Sequence, residues 1–339
     1  MVSRATTRAA GLSPGGPVRV RLEKRTSRLR SLLDTGSIEV ATRARRTIWQ
    51  PSPAHEPAAD VAIRSDLLRL TPSHEQDSRI QEISTSRSAA VHVLLLALFE
   101  NQVREPRAYE SAGRTRLPVH NPDTVDWVDF AALPTTDPRS SAPILAANRE
   151  RQIKRALDRL AEHGRVEVKP HGDYNRFRLL NEAADNPAGS PTYYRPPRRT
   201  RNKVLILPVE FFTNCWLDAL TDNELITYLA LRAAAHANPT RHADGGISLS
   251  PKSRRTEFNI ERPFELHPML AHYGLVRTTV TERLRRADGT MMAVTGDESG
   301  QVHRFTLNDE ALRKPGVETV ADALTRYING SESPSRQSS

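Results

Sequence analysis

A single cysteine in 339 residues, Cys215, excludes an intramolecular disulfide and any cysteine-rich zinc module. Beside Trp216 it reads as a small buried apolar residue. Lysine is also scarce: it stands at six positions (24, 154, 169, 203, 252 and 314), and arginine supplies the other 43 of the 49 basic residues. Codon bias in a GC-rich genome would give the same imbalance, so arginine content alone says little. No apolar run reaches the roughly 20 residues of a membrane helix; the longest, Ala89–Phe99, is too short. The basic N-terminus is followed by no apolar stretch, so no secretory signal is read. A soluble, cytoplasmic chain without a membrane partner is expected.

The signatures of catalysis are missing too. No Gly-Lys-Ser/Thr loop is present to cradle phosphates, and no two histidines flank a single apolar residue as in a nickase. Asp123, Asp126 and Asp129 are spaced i, i+3, i+6, which splits them across the faces of a strand, and no Gly-rich ion loop accompanies them. His267 and His272 lie five apart on a helix that Pro268 disrupts, which makes them poor co-ligands. No catalytic residue, metal site or cofactor is expected, and the chain is not read as an enzyme.

The formal net charge of +9 is concentrated in two places. Residues 1–60 carry 11 Lys and Arg against 5 Asp and Glu, and residues 183–203 carry 5 against 1. Those two stretches more than account for the whole excess, and everything else is close to neutral. Flexible basic segments that follow phosphates, beside near-neutral folded modules that set register, would give this distribution. A hydrophobic content of 37% is low for one large globule and predicts some loosely folded length.

A block of sequence occurs twice. Leu160–Val166 reads LAEHGRV and Leu270–Val276 reads LAHYGLV, an offset of 110; Arg176–Glu182 reads RFRLLNE and Arg304–Glu310 reads RFTLNDE, an offset of 128. The difference places an insertion between the two echoes of the second copy. A helix end, a glycine, a strand, a variable turn and a second strand make the tail of a winged helix-turn-helix. The predicted fold is therefore mainly α with small β wings (α+β): two tandem winged helix-turn-helix domains behind a basic N-terminal arm.

The expected boundaries follow from the proline and glycine punctuation. Residues 1–83 form a partly disordered basic arm, within which Val18–Leu33 is patterned as a basic amphipathic helix suited to DNA, a membrane surface or a protein groove. Residues 84–182 form the first winged-helix domain: a helix over Ser88–Val103, a short strand over Thr124–Phe130, a third helix over Asn148–His163 ended by Gly164, and a ribbon turning at His171–Asp173. Residues 183–203 are a Pro- and Arg-rich linker, in which Tyr193 and Tyr194 are expected to pack rather than stack on bases. Residues 204–312 form the second domain: a capping box over Thr221–Glu224 opens a helix to about Ala237, followed by a strand over Gly246–Leu249 and a basic helix over Ser250–Phe258. Its third helix, Arg262–Tyr273, is broken or kinked by Pro268 and ended by Gly274. Its wing runs over Leu275–Leu284, a turn at Asp288-Gly289, and Val302–Leu307. Residues 313–339 are a C-terminal helix, Val317–Ile328, and a frayed tail. That helix packs on the second module or forms a homodimer seam.

A third helix of this kind enters the major groove, where Arg pairs with guanine and Asn or Gln with adenine. The expected contacts in the first domain are Asn148, Arg149, Arg151, Gln152, Lys154 and Arg155 on the helix, with Arg165, Lys169 and Arg176 reaching phosphates from the wing. Arg198, Arg199, Arg201 and Lys203 of the linker add to them. The second domain offers Lys252, Arg254 and Arg255 before its third helix and Arg277, Arg283, Arg285 and Arg286 on its wing. Glu261 and Glu265 at that helix's start would repel phosphate, so this domain either holds the backbone or makes protein contacts. The expected partner is double-stranded DNA.

On the paired L-A-x-x-G-x-V and R-F-x-L-x-x-E echoes over about residues 84–312, the chain resembles the tandem winged-helix replication initiators of plasmids. The resemblance implies a nucleoid- or plasmid-associated protein that binds origin repeats, recruits host replication proteins and does not itself cut DNA. A transcriptional regulator, or a structural partner of a chromosome-organising complex, is the alternative that the residues leave open.

Overall fold

The computed structural model describes residues 16–49, 58–85 apart from 73 and 75, 89–103, 117–135 apart from 122, 141–169, 173–186, 191–199, 203–280 and 303–330. Its elements run α1 (Gly16–Asp34), α2 (Ser37–Trp49), β1 (Asp60–Arg64), α3 (Arg79–Ile83), α4 (Ala90–Val103), α5 (Trp127–Phe130), α6 (Ala142–Glu162), β2 (Val166–Lys169), β3 (Asp173–Leu179), β4 (Val204–Pro208), α7 (Glu210–Thr213), α8 (Trp216–Ala219), α9 (Asp222–Ala237), α10 (Pro239–Ala243), α11 (His267–His272), β5 (Val276–Val280), β6 (His303–Leu307) and α12 (Gly316–Ile328). The architecture is mainly helical, with two-stranded antiparallel sheets β1–β4, β2–β3 and β5–β6. Among the described residues no helix is long and apolar enough to cross a membrane.

The centre is α4. From Val93 to Phe99 every residue is apolar and buried, as expected of a helix with no polar face. Phe99 stacks on Phe130 at 6.0 Å and on Phe212 at 4.7 Å, so one side chain serves both halves of the chain. The second long helix, α9, begins where TDNE predicts: the Thr221 hydroxyl accepts from the Glu224 amide at 3.4 Å, and the Glu224 carboxylate accepts from the Thr221 amide at 2.9 Å. One contiguous apolar cluster runs from Leu29 on α1 to Leu324 on α12.

The segment expected as a loose arm is, over residues 16–49, two packed helices. Leu29 and Leu32 of α1 are buried, and α1 lies along α12. The Arg25 guanidinium donates to both Glu224 carboxylate oxygens at 2.7 Å and to the Ala219 carbonyl at 2.8 Å, which fastens α1 to the start of α9. On α2, Arg45 is fully buried. An unpaired charge there would cost several kcal/mol, and the surroundings satisfy it. Arg45 donates to Asp218 at 2.5 and 2.9 Å, to the Phe130 carbonyl at 2.9 Å and to the Phe212 carbonyl at 3.0 Å. Burial opposes the charge, yet Asp218 holds the Arg45 pKa above its ordinary value.

Strand β1 completes the tie, pairing with β4 from Asp60↔Pro208 to Arg64↔Val204. The two halves also touch through Ser84, which donates to Asp222 at 2.8 Å, and Gln81, which donates to the Asn259 carbonyl at 2.7 Å. The expected linker is fastened where it is described. The Tyr194 amide donates to the Leu179 carbonyl at 3.0 Å, and the buried Tyr194 hydroxyl accepts from Gln102 at 2.7 Å.

Several local expectations need correction. Thr124–Phe130 is no strand: Asp126 caps the helical turn α5 by accepting from the Asp129 amide at 2.8 Å. Gly246–Leu249 is reduced to a single bridge, Ile247↔Phe305. The basic helix over Ser250–Phe258 contracts to a widened turn, Ser253–Glu257, entered from Pro251. The expected break at Pro268 occurs: a 3-10 turn, Pro263–Leu266, gives way to α11, with Pro268 in its first turn.

Candidate nucleic-acid interface

The repeated block corresponds to a repeated piece of structure. In the first copy α6 ends at Gly164, φ +63°; in the second α11 ends at Gly274, φ +80°. The closing hydrogen bonds match. The Arg165 amide donates to the Leu160 carbonyl at 2.8 Å and the Gly164 amide to Ala161 at 3.0 Å. Likewise the Leu275 amide donates to Leu270 at 3.1 Å and the Gly274 amide to Ala271 at 3.0 Å. This is the paired bonding of a glycine-terminated helix, and it explains why Leu, Ala and Gly recur together. The strands that follow start in the same register: Val166 faces Leu179 in β2–β3, and Val276 faces Leu307 in β5–β6. The phenylalanine of each RF echo is buried: Phe177 lies 5.4 Å from Trp127 and Phe305 lies 5.6 Å from Phe264, between ring centroids. The terminal glutamates diverge. Glu182 is buried under Arg64 at 2.7 Å, and burial raises its pKa against the pull of that cation. Glu310 is exposed beside Arg313 at 2.9 Å.

Helix α6 begins six residues before the expected start, at Ala142, and its first buried residue is Ile153. Over its first 11 residues, about 16 Å at 1.5 Å per residue, no side chain is fully buried: Ile144 is 52% exposed, while Ala146 packs against the core. Arg151 and Arg155 are exposed on this helix. Arg151 donates to the Asn148 side chain and to the Ala147 carbonyl at 3.4 Å, both on its own helix. Lys154 pairs with Glu150 at 2.7 Å and sits 5.7 Å from the Tyr174 ring centre. Tyr174 donates to Asp158 at 2.7 Å, fixing β3 against α6.

Three expected contacts are withdrawn. Arg149 turns inward to the Leu133 carbonyl at 3.2 Å and to Ser37, and burial lowers its pKa. Gln152 donates to the Pro134 carbonyl at 3.1 Å. Arg165, expected on the wing, is buried and donates to the Ala184 carbonyl at 2.8 Å. Burial, with Arg79 nearby, lowers its pKa to about 10. The physical reason is position: Arg165 directly follows the helix-ending glycine, where the chain turns back onto the core. Lys169 lies on β2 and Arg176 on β3.

Around the first unit, Arg198, Arg199 and Lys203 are exposed, with Arg199 paired to Asp60 at 2.9 Å. Arg201 of the linker lies outside the described residues, as do Arg283, Arg285, Arg286, the Asp288-Gly289 turn and the tail from 331. In the second unit Lys252 and Arg277 are exposed. Arg255 is exposed and paired with Glu261 at 2.9 Å. Arg254 is half-buried with its guanidinium 4.4 Å from the Phe264 ring centre, and burial lowers its pKa.

Sequence reading missed the arginines that hold the body together: Arg25, Arg45, Arg64, Arg79 and Arg232. Nothing in spacing separates them from solvated arginines; their partners lie far away in sequence. It also missed the exposed Arg178 of β3, which sits 5.1 Å from the Tyr193 ring centre and 3.7 Å from Glu167. Among the described residues no group of three or more His, Cys, Asp or Glu could hold a metal ion. Cys215 is buried, and burial raises its thiol to about 11, which leaves it a packing residue. Comparison with protein-family models, with curated proteins and with solved structures gave no match.

Proposed function

We propose that the protein is a duplex-DNA-binding protein built from two winged-helix modules fused into one body, with α6 as its reading helix. The observation that carries this reading is the outer face of α6: no residue before Ile153 is fully buried, Arg151 is exposed there and Arg155 one turn on, and a hairpin backs the helix. A helix in the major groove needs such an exposed face so that side chains reach base edges. Element order supports it as well. Helix α4, turn α5, helix α6 and hairpin β2–β3 follow one another as α9, the 251–257 turn, α11 and hairpin β5–β6 do in the second half, which adds α10 and a 3-10 turn between α9 and α11.

Within that reading the protein is a replication initiator of the plasmid type, which grips repeated origin sequences without cutting them. Arg151 and Arg155 read bases, while Arg198 and Lys203 follow the backbone. The test is selection of bound fragments from genomic and plasmid DNA, followed by titration of the best fragment at several salt concentrations. One preferred sequence is expected, with Arg151→Ala relaxing the preference and Arg198→Ala weakening all sequences alike. Equal affinity for selected and random duplex at physiological salt would sink the reading. Plasmid maintenance that survives deletion of the gene would remove the initiator role and leave DNA binding intact.

A further inference from the structure

A cavity of about 340 Å³ opens between the end of α9, α10, the 251–257 turn and the loop after β1. It reaches the lower end of the roughly 300–1,000 Å³ of small-ligand pockets. Its polar wall carries Arg69, Arg241, Ser248, Ser250 and Ser253, and its apolar wall includes Leu249 and Phe258. Two arginines thus line a space that holds one carboxylate, Glu257, 4.0 Å from Arg69 and beyond hydrogen-bonding distance. The Arg69 Nε is buried and has no hydrogen-bond partner. The Arg69 guanidinium carbon lies 5.7 Å from the Phe258 ring centre, which holds the cation at the apolar wall of the cavity. The serines face the same space with hydroxyls engaged only locally: Ser250 accepts from the Ser253 amide at 3.0 Å, and Ser253 donates to Glu257 at 3.1 Å.

We infer that this cavity binds a phosphate ester of nucleotide size, with Arg69 and Arg241 on the phosphate, serine hydroxyls on its remaining oxygens, and the organic part against Leu249 and Phe258. Guanidinium pairs suit phosphate oxygens because their donors match them two at a time. The cavity exceeds what a lone anion needs, and the apolar wall suits a carbon-bearing group. Two sources have this chemistry: a free nucleotide, or a nucleotide unit of a DNA strand lying across the second module. The DNA-strand source rests on the DNA-binding reading above; the free-nucleotide source does not.

The experiment uses the full chain and its Arg241→Gln and Arg69→Gln/Arg241→Gln variants. Calorimetric titration with adenosine and guanosine monophosphates and with inorganic phosphate is paired with DNA titration at several salt concentrations. Arg241 is exposed, so its variant tests the site without disturbing the core, and unchanged thermal melting verifies this. Saturable nucleotide binding that weakens at least tenfold in the variants establishes the free source. No nucleotide binding, but a salt dependence of DNA affinity shallower by about one phosphate in the variants, establishes the strand source. Variants indistinguishable from the parent in both titrations overturn the proposal. Relaxed sequence preference in Arg151→Ala with nucleotide binding retained separates this site from α6.

Discussion

Arg155 on α6 and Arg255 on the turn before α11 belong to corresponding halves of the chain, yet their surroundings differ. Arg155 stands exposed on a continuous helix of 21 residues. Arg255 is held by Glu261, on a segment that reaches α11 only after a 3-10 turn. Neighbouring Arg254 folds over Phe264, and His267 and His303 approach to 5.4 Å between ring centres beneath it. In the first unit Arg151 and Arg155 stay on the outer face of the helix, whereas Arg254 and Arg255 before α11 go into packing and an ion pair. Both keep the same glycine-ended helix and the same first strand pairs, after which only β2–β3 shifts register, between Glu167 and Lys169. A duplicated scaffold can therefore hold its closing geometry while only one copy keeps a long helix with exposed arginines.

The largest test asks whether the two units stand on one body. Arg45→Met leaves Asp218 buried without its partner, and breaking such a pair costs about 3–5 kcal/mol. Arg45 bonds to Phe130 in one half and Phe212 in the other, so urea denaturation is expected to show both halves losing stability in one transition. Independent transitions would break the comparison by making the units separate domains.

A sharper contrast lies in the two glycines. Alanine is strained at either positive φ by about 1–2 kcal/mol. At Gly164 a methyl group would also press on Asn186, whose carbonyl oxygen lies 3.2 Å from the added carbon; at Gly274 the nearest atom is the Ala311 Cβ at 4.0 Å. With overpacking added, Gly164→Ala is expected to cost about 2–3 kcal/mol and Gly274→Ala about 1–2. Equal losses would mean that Asn186 yields freely.

On the DNA side, Arg151→Ala is expected to weaken binding to a selected site by about 1–3 kcal/mol, and Arg255→Ala to leave sequence preference unchanged. The reverse result in competition binding would exchange the roles of the two units.

The smallest effect is with pH. Burial lowers the pKa of His267 and His303 below 6.5, with Arg254 adding to it. As pH falls through 6.5 the unfolded chain takes up protons before the folded one, so stability is lost on acidification and regained above it. Melting temperature is expected to fall between pH 7.5 and 5.5, and His267→Gln/His303→Gln to flatten that fall. One pKa unit corresponds to about 1.4 kcal/mol. An unaltered slope would move the acid sensitivity elsewhere.

Local chemistry was legible in the sequence, and distant pairing was not. TDNE announced α9, the glycines announced the helix ends, and Val317–Ile328 falls within α12 because those signals act within one or two turns. The exposed face of α6 was legible only in part. Arg151 and Arg155 differ from Arg149 and Gln152 by the presence of Ser37, Leu133 and Pro134, which the chain brings in from elsewhere. Arg25 and Arg45 gave the opposite error: a run of arginines suggested a solvated arm, whereas carboxylates nearly 200 residues away draw them into the body. The Asp126 cap shows the same limit at short range, since an aspartate before Trp127 suits a turn as well as a strand.

Strand β1 finds its partner in β4, some 140 residues further along. On a ribosome adding residues in order, that edge stays open until more than half the chain has emerged, and the buried face of α2 waits for Asp218 beyond it. Contacts of such sequence separation are slow to form, because loop-closure entropy precedes their reward. The first unit can thus close its own helix and hairpin early, while the platform that orients it is finished last. Premature truncation before residue 204 would release a hairpin-bearing fragment with an unpaired strand, a ready template for association.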